Sequence, residues 1–93
     1  METQVDNLTY VRAGQFLEGE VDGEIVALDI AGGKCFGFNS VASSVWRALE
    51  SPRAFWDLVG TLQAEFEVSF DQCSLELREL LADMVKRGLV RPS

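Results

Sequence analysis

The stretch that decides the fold is residues 24–50, Glu24-Ile25-Val26-Ala27-Leu28-Asp29-Ile30-Ala31-Gly32-Gly33-Lys34-Cys35-Phe36-Gly37-Phe38-Asn39-Ser40-Val41-Ala42-Ser43-Ser44-Val45-Trp46-Arg47-Ala48-Leu49-Glu50. It reads as a β-hairpin feeding directly into an amphipathic helix. Val26, Leu28 and Ile30 alternate along the first strand, and Phe36 and Phe38 along the second, so each set shares a face. A two-residue Gly32-Gly33 turn puts the aliphatics and the phenylalanines on opposite faces. A three-residue Ala31-Gly32-Gly33 loop pairs Leu28 with Phe36 and Val26 with Phe38, and gathers all five on one face. The second register is expected, with Ala27, Asp29, Cys35 and Gly37 outward. Lys34 to Phe38 is short, is followed at once by a helix cap, and has no obvious partner on its far side. Such an edge exposes backbone N–H and C=O groups that can accept a strand from another chain.

Working outward, residues 1–7 are polar and expected to fray. Leu8 to Arg12 is a strand or a docked extended segment. Gln15 to Val21 reads as the strand before the hairpin, joined to it by the strong Asp22-Gly23 turn signal. After the hairpin, Asn39 or Ser40 caps a first helix with Val41, Val45, Trp46 and Leu49 on its apolar stripe. Ser51-Pro52 is expected to stop that helix and start a second, with Ser51 as cap and Pro52 in its first turn. The second helix buries Phe55, Leu58, Val59, Leu62 and Phe66. Ser69 or Asp71 caps a third that runs to about Arg87, with Phe70, Cys73, Leu77, Leu80, Leu81 and Met84 on one face and Gly88 as its stop. Leu89-Val90-Arg91 is a short extended tail. The whole is an α+β fold of winged-helix type, a three-stranded antiparallel sheet followed by three helices.

Composition narrows the function. Ninety-three residues make one small domain with one core. The chain has no histidine, which removes the commonest general base and metal ligand. Neither phosphate loop nor nucleophile–base pair is present, so an enzyme is not expected. A net charge of −7 argues against nucleic acid and against anionic membrane surfaces. Cys35 and Cys73 fit no metal spacing and are expected as free thiols in a reducing cytoplasm. No signal peptide and no apolar run of transmembrane length is evident. The competing class is a winged-helix DNA-binding regulator. Its recognition helix would be basic, whereas Asp71, Glu76, Glu79 and Asp83 share the third helix with Arg78, Lys86 and Arg87.

Several features in order carry a resemblance: Leu28-Asp29-Ile30, a glycine turn, Lys34-Cys35-Phe36-Gly37-Phe38-Asn39, a helix with a central Trp46, then Ser51-Pro52-Arg53, Leu77-Arg78-Glu79-Leu80-Leu81 and Arg87-Gly88-Leu89-Val90. Over residues 16–91 the chain resembles the PqqD-like family, peptide-recognition domains of ribosomal-peptide maturation systems. The resemblance implies a single domain over residues 1–93 with an ordered core at about 8–91. It implies a non-catalytic protein without cofactor that binds a precursor's leader as a strand added beside Lys34, Cys35, Phe36, Gly37 and Phe38. The leader would also pack in a groove against the third helix. The flank of that helix assigned to the groove is the one carrying Ser74, Arg78 and Leu81, next to Leu77 on the core stripe. A free-standing acidic chain of this size looks most like the recognition protein of split lasso-peptide systems, which hands the precursor to a separate leader peptidase. Cys35 and Phe36 depart from the paired tyrosines frequent in the family, which bears on the pocket's shape rather than on the strand.

Overall fold

At the Asp22-Gly23 turn both residues take positive φ, 51° and 83°, the backbone of a type I′ hairpin whose twist matches its strands. It joins β2 (Phe16–Val21) to β3 (Glu24–Asp29), and β4 (Cys35–Gly37) completes an antiparallel sheet in the order β2-β3-β4. The computed structural model describes residues 8–93, so the expectation for residues 1–7 lies outside the described residues. Three helices follow the sheet: α1 (Ser40–Ala48), α2 (Phe55–Glu65) and α3 (Phe70–Lys86). A second antiparallel sheet, in the order β5-β1-β6, gathers β1 (Thr9–Arg12), β5 (Arg53–Ala54) and β6 (Val90–Pro92). The fold is α+β as expected, with this second sheet added: the docked segment and the tail pair with each other.

The hairpin register differs from the expected one by a single residue. Leu28 faces Cys35, Ala27 faces Phe36 and Val26 faces Gly37. The cause is local turn chemistry at Asp29. Its carboxylate accepts the Ala31 N–H at 3.2 Å and its carbonyl accepts the Gly33 N–H at 2.8 Å, while its own N–H donates to the Lys34 carbonyl at 2.8 Å. The loop therefore holds four residues, closed by Gly33 at φ 71°. A one-residue slip exchanges the faces of a strand. Ile25 and Ala27 now point inward beside Phe36 and Phe38, and Leu28 and Ile30 are exposed with Cys35 and Gly37. Ser43 enforces this arrangement from α1. Its hydroxyl accepts the Ile25 N–H at 2.9 Å and donates to the Phe38 carbonyl at 3.3 Å, satisfying a fully buried polar group on both sides.

The second helix begins later than Ser51-Pro52 suggests. Arg53 and Ala54 instead pair with Tyr10 and Thr9, and the Phe55 N–H donates to the Leu8 carbonyl at 3.0 Å. Strand pairing supplies the partner that a capping side chain would have given, and Ala54 makes no side-chain cap bond. The other caps form as read: Asn39 accepts from Ala42 N–H, and Ser69 from Gln72 N–H. Trp46, Phe55, Leu58, Leu77, Leu81 and Met84 are all at most 1 % exposed at the centre of the core. Val41 and Phe70, expected on buried stripes, are exposed; Phe70 stacks on Trp56, 5.4 Å between centroids.

Candidate functional site

The open edge of β4 has a definite polarity of groups. The Phe38 N–H donates to the Ile25 carbonyl at 2.9 Å, and Asp29 N–H donates to Lys34 O. In an antiparallel ladder the bonding direction alternates from residue to residue. Lys34, Phe36 and Phe38 therefore direct their backbone groups to β3, and Cys35 and Gly37 direct theirs away from it. No described strand pairs with that side, since β4 lies at the end of the β2-β3-β4 order. The exposed groups are thus the N–H and C=O of Cys35 and Gly37, two rungs of an unfilled ladder.

Beside this edge runs a groove of about 260 Å³. One wall is Cys35 to Asn39 with Ala42; the other is Leu80, Asp83, Met84, Arg87 and Leu89. Phe36 is half-buried and turns its ring to the inner side, where it packs on the core. Phe38 is buried and lies on Trp46, 5.2 Å between ring centroids. The far wall owes its shape to the end of α3. Gly88, at φ 75°, lets Leu89 N–H bond Met84 O at 2.9 Å and Gly88 N–H bond Val85 O at 3.0 Å. This helix-ending motif turns the chain so that Leu89 is buried and β6 can pair with β1. At the rim, Arg87 Nε donates to the Asp83 carboxylate at 2.9 Å, with both side chains more than half exposed. Buried Phe38, Met84 and Leu89 line the base of the groove, and Asp83 and Arg87 at the rim balance each other's charge.

Of the residues the sequence reading nominated, Cys35, Phe36, Gly37 and Phe38 meet at this groove. Lys34 stands just before it, exposed in the loop. Ser74, Leu77, Arg78 and Leu81 do not line it. Leu77 and Leu81 are buried in the core. The Ser74 hydroxyl is turned back on the helix, donating to Phe70 O at 2.8 Å. Arg78 places its guanidinium 5.6 Å from the Phe55 ring, on the side of α3 that faces α2. The groove takes the opposite flank, Leu80, Asp83, Met84 and Arg87. Their i, i+3, i+4, i+7 spacing is visible in the sequence as one helical face that ends at Gly88. Which of two flanks meets the strand depends on the tertiary placement of α3, which periodicity does not contain.

Both cysteines are free thiols; Cys35 is exposed and Cys73 buried. Burial pushes the Cys73 thiol above its ordinary value, and Glu76 adds to the shift. Its Sγ–H donates weakly to Val59 O at 3.8 Å. Among the described residues there is no group of three or more His, Cys, Asp or Glu side chains placed to hold a metal ion. No described helix is long and apolar enough to cross a membrane.

The model of a protein family described as coenzyme PQQ synthesis protein D (PqqD) matches residues 24–90, which span the hairpin, the three helices and the helix-ending turn. Two solved structures share the fold. One is TbiB1 in complex with the TbiA(beta) leader peptide, 25% identical, with a TM-score of 0.78 over 87% of this chain and 94% of that one. The other is a lasso peptide synthetase B1 complexed with the leader peptide, 21% identical, with a TM-score of 0.72 over 89% of this chain and 98% of that one. No curated protein sequence matches the chain.

Proposed function

The chain belongs to the PqqD family, and from that premise we propose that it recognises the leader segment of a ribosomally made precursor peptide, as in lasso-peptide biosynthesis. The leader adds as a fourth strand to β4, pairing with the backbone of Cys35 and Gly37. Its inward side chains enter the groove between Phe36 and the Leu80–Arg87 flank of α3. The observation that carries the reading is the unfilled ladder edge lying against a groove walled by Phe36 and the Leu80, Met84 and Arg87 side of α3. The similarity to a structure of TbiB1 with a leader peptide bound supports it.

The protein acts without catalysis, as an adaptor in the cytoplasm. It holds the precursor at high effective concentration for a separate maturation enzyme such as a leader peptidase. With no histidine in the chain and one solvent-exposed thiol, this surface offers backbone pairing and side-chain contact rather than nucleophile–base chemistry.

Proline substitution tests the strand. Gly37→Pro or Cys35→Pro removes an N–H that faces the leader and spares the bonds to β3, so it should abolish leader binding while circular dichroism remains native. Phe36→Pro removes a bond to β3 and should damage the fold itself. Leader binding undiminished in folded Gly37→Pro and Cys35→Pro proteins would rule strand addition out. A pull-down from the producing cells should recover a maturase with the precursor, and processing of the precursor by this chain alone would overturn the adaptor role.

A further inference from the structure

A second groove, of about 340 Å³, opens on the other side of the β4 edge and shares Gly37, Phe38 and Asn39 with the first. Its remaining wall is the β2-β3 hairpin, including Val21, Val26 and the two carboxylates of Asp22 and Glu24. No basic residue lines it. Among the described residues neither carboxylate is ion-paired. Arg47, which reaches the turn, is held by Glu20 at 2.7 Å and by the Gly23 carbonyl at 3.0 Å. The open space over Gly37, where an added Cβ would meet nothing within 4 Å, lets a side chain pass from the edge onto Val26.

The position of this groove relative to the edge sets what it can hold. β4 runs from Cys35 to Gly37, and every pairing in both sheets is antiparallel. A leader added in the same sense passes Gly37 before Cys35, so the residues lying past Gly37 are those preceding the paired segment. At about 3.3 Å per residue, the one to three residues before that segment reach the groove. A long side chain there can lay its methylenes on Val21 and Val26 and its charge between the carboxylates. We propose that this groove is a subsite for a lysine or arginine on the N-terminal side of the leader segment that adds to β4. The proposal rests on the strand-addition reading and extends it from backbone pairing to the leader's charge pattern. It would also give a strand of only three residues a grip beyond its two free rungs.

The test uses a fully randomised short-peptide library displayed on messenger RNA, selected in parallel on the native chain and on the double variant Asp22→Asn, Glu24→Gln. Asparagine tolerates the left-handed backbone of position 22, so the turn survives. Each selected peptide is then measured against native, double-variant and Gly37→Pro chains at low and high salt. The expected result is binders that require Gly37, that carry Lys or Arg just before an alternating apolar segment, and that bind the double variant about three- to tenfold more weakly at low salt only. Gly37-dependent binders with no basic preference and equal affinity for the double variant would overturn the subsite and leave strand addition standing. So would a basic preference placed after the apolar segment. Binders indifferent to Gly37→Pro would instead overturn strand addition itself.

Discussion

The indole N–H of Trp46 donates to Glu18 Oε1 at 2.7 Å, joining the centre of α1 to the inner face of β2. The same oxygen accepts Arg12 Nη1 at 2.6 Å, and the guanidinium lies 4.2 Å from the Trp46 ring centroid while Nη2 donates to the Trp46 carbonyl. One glutamate thereby fixes both sheets to the helix under the β2-β3 hairpin. Replacing Glu18 with alanine should destabilise the fold by about 1–3 kcal/mol, because the indole N–H of a fully buried tryptophan loses its acceptor. Urea unfolding followed by tryptophan fluorescence checks this; a change well under 1 kcal/mol would contradict it. Where the variant is folded, leader affinity should be unchanged, since Glu18 lies away from the β4 edge.

The two flanks of α3 give opposite expectations. Leu80→Ala removes part of the groove wall and should weaken leader binding about five- to thirtyfold, within the range for truncating an apolar contact at an interface. Arg78→Ala should change it less than about twofold, because that side chain lies over Phe55 away from the groove. Titration calorimetry on both variants checks the pair. Strong loss with Arg78→Ala and none with Leu80→Ala would move the leader to the other side of the helix.

Much of this was legible in the residues. The Asp22-Gly23 turn, the caps at Asn39 and Ser69, the stop at Gly88 and the short edge strand all follow from local chemistry that tertiary packing did not override. The hairpin register did not follow. Alternation of large aliphatics placed them all towards the core, yet Asp29 closed a loop one residue longer and Ala27 took the inward position, leaving Leu17 and Leu28 exposed across from one another. The second helix start was hidden because Arg53–Ala54 pairs with a strand more than forty residues earlier in the chain. The β4 edge was readable because it belongs to a local hairpin; which flank of α3 stands beside that edge was not, because the rotation of α3 is set by the whole core.

Thiol chemistry separates the two cysteines. Iodoacetamide at neutral pH should modify Cys35 and spare Cys73 in the folded chain. Because burial raises the Cys73 value in the folded state, the folded chain holds that proton at pH values where the unfolded chain has lost it. Its contribution to stability is therefore complete below the ordinary thiol value of 9.0 and declines as pH rises from there towards the raised folded value. Unfolding measured across that range should show the decline in the native chain, and Cys73→Ala should flatten it. Equal slopes in the two proteins would contradict the assignment.

Hydrogen exchange read residue by residue tests strand addition most directly. In the free chain, Phe36 and Phe38 amides should exchange slowly because they bond β3, and Cys35 and Gly37 amides should exchange fast because they face solvent. With leader bound, Cys35 and Gly37 should become protected while Phe36 and Phe38 change little. A leader that binds and leaves Cys35 and Gly37 exchanging at their free rates would contradict it.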